Sequence, residues 1–94
     1  MSINHYKKSI SSGIRTSSVA ILEGEGWLNG AILTNGSVDS KVFFYDSADA
    51  DLGDKRVVGF VSNEVPSFDY AVHCVNGIYA EIEEGAEFLC LYDK

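Results

Sequence analysis

Residues 33–46 read Leu-Thr-Asn-Gly-Ser-Val-Asp-Ser-Lys-Val-Phe-Phe-Tyr-Asp. An apolar run ends at Asn35-Gly36, polar residues reverse the chain, and a second run, Lys41 to Tyr45, stops at Asp46. Asn-Gly is the dipeptide that most readily takes positive φ, so the stretch predicts a β-hairpin. The second run is apolar on both sides: Val42 and Phe44 fall on one face of an extended segment, Phe43 and Tyr45 on the other.

Moving outward, the same grammar repeats. Val19–Leu22 is a short apolar run, and Trp27–Thr34 is a longer one that holds Asn29-Gly30, where a Gly inside a strand marks a bulge or a close backbone approach. Arg56–Ser62 follows, then a connection holding Pro66, the one proline, which bars a central strand there. Tyr70–Val75 and Ile78–Glu83 flank a further Asn-Gly, at Asn76-Gly77, and read as a second hairpin. In Ile78–Glu83, Ile78, Ala80 and Ile82 alternate with Tyr79, Glu81 and Glu83, the period of a half-buried strand. Glu84 to Glu87 turns, and Phe88–Tyr92 closes the chain, with Phe88, Cys90 and Tyr92 opposite Leu89 and Leu91.

These seven runs, near-regularly spaced and without an amphipathic helical stripe, predict an all-β fold. It is a small antiparallel β-sandwich or jelly-roll-like barrel of about seven to eight strands. Ninety-four residues make one domain. Residues 17–94 form its body, and residues 1–16 read as a basic N-terminal arm, a short edge strand or a frayed terminus. Several strands are apolar on both faces while a two-layer sandwich has one interior, so self-association is expected to cover the rest.

The charge is lopsided. Fourteen acidic residues oppose seven basic ones for a net −7, and three of the seven, Lys7, Lys8 and Arg15, lie in residues 1–16, which hold no acid. An acidic body repels phosphate backbones and anionic membranes, so neither nucleic acid nor membrane is expected as a partner. The arm, with Tyr6 and Ile10 to bury and Lys7, Lys8 and Arg15 to pair, is the candidate partner-binding segment. No secretory signal and no membrane-spanning run is evident, so synthesis in the cytoplasm is expected. Cys74 and Cys90 sit within apolar runs and read as free, buried thiols rather than a disulfide.

Chemistry-bearing motifs are sparse. His73 adjoins Cys74, but neighbours on a strand point to opposite faces, against a Cys-His dyad. His5 falls in the arm, and the spacing of a zinc site is absent. Asp46, Asp49, Asp51 and Asp54 invite a calcium reading, yet their spacing fails the EF-hand pattern, and a solvated acidic turn with Asp46 as a turn cap fits better. Glu81, Glu83 and Glu87 read as a solvated face without a cleft. No catalytic, metal or cofactor residues are assigned, and no enzyme activity is expected. Trp27 with Tyr6, Tyr45, Tyr79 and Tyr92 forms either core and interface or an aromatic platform for sugar.

The run from Leu33 to Asp46, the later Val57–Val61, and the segment Cys-Val-Asn-Gly-Ile-Tyr-Ala-Glu-Ile at 74–82 together resemble small β-sandwich proteins encoded among the virion genes of tailed bacteriophages. The likeness covers roughly residues 17–92 and rests on turn and core signals. It implies a structural virion protein that decorates or cements the capsid surface, binding the major capsid protein and assembling as a homo-oligomer, with a trimer favoured. A head-fibre, tail or carbohydrate-binding module using Trp27 and surface tyrosines is the alternative. The resemblance carries no catalytic residues and no cofactor.

Overall fold

The computed structural model describes residues 9–94. Nine strands and no helix occur among them: β1 (Ile10–Ser11), β2 (Val19–Glu23), β3 (Gly26–Asn35), β4 (Lys41–Tyr45), β5 (Val57–Ser62), β6 (Ser67–Phe68), β7 (Val72–Cys74), β8 (Gly77–Glu83) and β9 (Glu87–Asp93). They make two antiparallel sheets. One has the order β1-β9-β3-β6, with β7 also pairing β3; the other has the order β2-β8-β4-β5. With β6 and β7 taken as halves of one interrupted strand, four positions face four in the order of a jelly roll.

The core forms where the inward positions of the two sheets meet. Leu28 and Ala31 on β3 and Phe88 and Cys90 on β9 face Val42 and Phe44 on β4, Val61 on β5 and Ile78 and Ala80 on β8, all of them buried. Phe44 lies edge-on to Phe88, ring centroids 5.4 Å apart, and meets Phe68 from the interrupted strand at 6.0 Å. The alternation expected for β8 holds: Ile78, Ala80 and Ile82 turn to the core and Tyr79, Glu81 and Glu83 away from it. Cys74 and Cys90 are buried and unbridged.

The two predicted hairpins do not form. β3 and β4 belong to different sheets: β3 lies between β9 on one side and β6 and β7 on the other, β4 between β8 and β5. Residues 36–40 carry the chain across the core instead of back along the same sheet. Neither Asn35 nor Gly36 has positive φ. The reversal is held by the Ser37 N–H donating to Ser40 Oγ at 2.8 Å and the Ser40 N–H donating to Ser37 O at 3.1 Å. Ser40 is fully buried, and its hydroxyl donates to Glu84 O at 2.6 Å, tying this crossing to the one between β8 and β9. That second crossing supplies the paired positive φ values, 58° at Glu84 and 71° at Gly85.

Asn76-Gly77 is likewise a crossing, from β7 in the first sheet to β8 in the second. The physical reason is the same in both places. A hairpin would set Val42 and Phe44 beside β3 in one layer, whereas crossing sets them over Leu28 and Phe88, where both faces of the contact lose water. Among the described residues, only β4 and β5 are consecutive strands that pair with one another, through the acidic loop 46–56.

Two other expectations meet the structure at single residues. The strand glycine Gly30 sits at a register shift in the β3–β9 ladder, and a Cβ there would lie 2.8 Å from Phe68 O, so it is both bulge and close approach. Within the expected arm, Ile10 and Ser11 join β9 as an edge strand, and Arg15 bridges Phe88.

Candidate functional site

Removing the core positions from each sheet leaves two outer faces, and both carry apolar side chains. On the β2-β8-β4-β5 sheet the outward positions of β4 pair Phe43 with Phe60 and Glu81, Tyr45 with Val57 and Tyr79, and Lys41 with Glu83. The Phe43 and Phe60 rings lie 5.0 Å apart. The Tyr45 hydroxyl donates to Glu81 Oε1 at 3.4 Å, and burial, followed by the Glu81 charge, raises the phenol above its ordinary pKa. Phe43, Tyr45, Phe60 and Tyr79 all lie outside the buried cluster.

The other sheet presents a row across three strands: His73 on β7, Trp27 on β3 and Asp93 on β9, paired in register. His73 Nε2 lies 2.6 Å from Glu25 Oε2, and its ring stands 4.9 Å from that of Trp27, inclined at 36°. Trp27 remains 45% exposed, its indole inclined against the imidazole with Asp93 paired on its other side. Further along β3 a depression of about 390 Å³ opens, lined by Asn29, Ile32, Ser67, Asp69, Leu89 and Leu91 among others. Asn29 is 2% exposed. Its amide Nδ2 donates to Ser9 Oγ at 2.8 Å and Asp93 Oδ2 at 3.1 Å, while Oδ1 has no partner among the described residues.

The expected platform of Trp27 with surface tyrosines is therefore divided. Tyr45 and Tyr79 stand on the opposite sheet from Trp27, and Tyr92 packs against the core. What joins Trp27 instead is His73, Glu25 and Asp93. Strand alternation sets Trp27 on the face opposite Leu28 but gives no hint that β7 and β9 flank it, because both pairings span long stretches of chain.

Of the expected partner-binding residues, Ile10 is 37% exposed on the edge strand. Arg15 exchanges two backbone hydrogen bonds with Phe88, at 2.7 and 3.0 Å, and its Nε donates to Ser12 O at 3.0 Å. Tyr6, Lys7 and Lys8 lie outside the described residues, as does His5. His73 and Cys74 point to opposite faces, Cys74 into the core.

The acidic loop does not converge on an ion. Asp46 turns inward, Asp49 Oδ1 accepts the Asp51 N–H at 3.0 Å, and Asp54 faces solvent beside Lys55. Among the described residues no group of three or more His, Cys, Asp or Glu side chains is placed to hold a metal.

These faces belong to a small jelly-roll sandwich with apolar groups on both outer surfaces. No family model, no curated protein and no solved structure matches the chain.

Proposed function

We propose that this chain is a non-catalytic structural protein of a tailed-phage virion, a capsid decoration or cement protein that self-associates through the outer face of its β2-β8-β4-β5 sheet. The observation that supports the reading most is the cluster of Phe43, Phe60, Tyr45 and Tyr79 outside the core. Large aromatic side chains held side by side on a sheet face repay a partner that removes them from water, and such residues are enriched where subunits meet. The flanking pairs of Lys41 with Glu83 and Tyr45 with Glu81 give that face a polar rim.

Charge supports the second half of the reading. Lys7, Lys8 and Arg15 head a chain that is otherwise strongly acidic, and a basic segment of this kind suits docking on an acidic neighbour such as a major capsid protein. The symmetry expected is a closed ring, with a trimer favoured by the resemblance to small phage virion β-sandwiches.

The test is the mass in solution by light scattering at two concentrations, for the wild-type chain and for Phe43→Lys. A wild-type oligomer that falls to monomer in the variant, with its melting transition retained, is the expected result. A wild-type monomer at both concentrations, or an oligomer indifferent to the charge at residue 43, would overturn the interface.

A further inference from the structure

The second outer face differs in kind from the first. It alternates apolar and polar groups: Ile32, Leu89 and Leu91 stand beside Asn29, Ser67 and Asp69, and Trp27 is framed by His73 and Asp93. A purely apolar partner laid on this face would strip water from those polar groups without returning hydrogen bonds. The ligand that fits must be amphipathic on the scale of a single ring.

From this we infer that the outer face of the β1-β9-β3-β6 sheet binds a neutral glycan, with Trp27 as the stacking platform. A pyranose ring offers a flat patch of C–H bonds on one side and hydroxyls around its edge. The indole of Trp27, steadied by His73 and 45% exposed, receives the C–H patch. The edge hydroxyls then meet Asp93 on β9 and the His73–Glu25 pair on the β7 side. A second sugar continues along β3 into the depression, whose volume lies within the range of small-ligand sites. There Ser67 and Asp69 on the rim offer polar groups to its hydroxyls.

The charges select the class of glycan. Glu25 and Asp93 flank the platform and Asp69 lines the depression beyond it, and among the described residues the imidazole beside Trp27, that of His73, is engaged with Glu25. Arg56 is turned aside, its Nη2 donating to His73 O at 2.9 Å and lying 3.5 Å from Asp46. A sialylated, sulfated or uronic-acid glycan would meet net repulsion here, whereas a neutral hexose or N-acetylhexosamine chain would not. The site lies on the opposite sheet from the proposed self-association face, so a virion assembled through one face keeps the other outward.

The experiment is an array of immobilised neutral and acidic oligosaccharides probed with the wild-type chain, Trp27→Ala and Trp27→Phe, each confirmed folded by its melting transition. Soluble forms of the retained glycans are then titrated against intrinsic fluorescence. The chain has a single tryptophan, so any change in emission reports this platform. Expected are retention by neutral glycans, a shift in Trp27 emission on titration, a loss of affinity of about tenfold or more in Trp27→Ala, and partial retention in Trp27→Phe. The light-scattering mass should be the same in all three chains. Failure to bind any neutral glycan, a preference for acidic ones, an emission unmoved by a bound glycan, or undiminished binding by Trp27→Ala would each overturn the inference and leave the self-association reading untouched.

Discussion

The buried carboxylate of Asp46, at the end of β4, accepts the backbone N–H of Asn76 at 2.7 Å, and through its other oxygen the N–H of Val75 at 3.1 Å. Asn76 reciprocates by donating its side-chain amide to Asp46 O at 3.4 Å. One aspartate thereby fastens the start of the β4–β5 loop to the crossing between the two sheets thirty residues later. The acid that ends the run from residue 33 is thus a cap for a turn remote in sequence.

Asp46→Ala should therefore destabilise the fold by about 2 kcal/mol, because it removes a charged acceptor from the Val75 and Asn76 amides. Urea denaturation at neutral pH measures this. A loss under about 1 kcal/mol would mean that water replaces the carboxylate freely.

The same residue sets an acid limit. Burial raises the Asp46 pKa, but the hydrogen bonds from Asn76, Val75 and Gly77 and the nearby Arg56 together outweigh it, so the carboxyl titrates below its ordinary value. A depressed folded-state pKa contributes stability that is present above the unfolded value of about 3.9 and is lost as pH falls through the folded value. Wild-type urea midpoints should fall more steeply than those of Asp46→Asn as pH is taken below about 4. Parallel acid limbs would assign the acid sensitivity to other groups.

Gly77 sits in the same crossing with φ of 147°, and a Cβ there would run into the backbone carbonyl of Leu22 as well as Ala48 and Ser47. Gly77→Ala should cost about 2–4 kcal/mol, since both the dihedral and the space exclude a side chain. Gly53→Ala, with nothing within 4 Å of its added carbon, should stay within about 0.5 kcal/mol of wild type. Thermal melts of the two variants side by side make the comparison.

Phe44→Ala removes the ring that contacts both Phe88 and Phe68 of the facing sheet. With no exposed surface at Phe44 or Phe88, the expected cost is about 3–5 kcal/mol by denaturant unfolding. Phe43→Ala, one residue earlier on the outer face, should cost the isolated chain far less.

Cys74 and Cys90 should be inert in the folded protein. Burial pushes each thiol up to about 11, against a partial pull downward from Arg56 at Cys74 and from Ser12 and Arg15 at Cys90. A disulfide exchange reagent at pH 8 should label neither in buffer and both in urea. Rapid labelling of either in buffer would show local opening of β7 or β9.

Local pattern was enough for the strands themselves. The alternation of Ile78 to Glu83, the double apolar character of Lys41 to Tyr45 and the bulge at Gly30 follow from side-chain period and residue type, which act over a few residues. The partners of each strand did not follow. Asn35-Gly36 and Asn76-Gly77 have the composition of hairpin turns, yet both became crossings, because burying Val42, Phe44 and Ile78 against a second layer removes more apolar surface from water than pairing within one layer would. The outer face shows the same division. Sequence fixes that Trp27 points away from Leu28, but only the β3–β7 and β3–β9 pairings set His73 and Asp93 on either side of it. Such long-range registers depend on the summed packing of the whole sandwich, and no short stretch of chain encodes that sum.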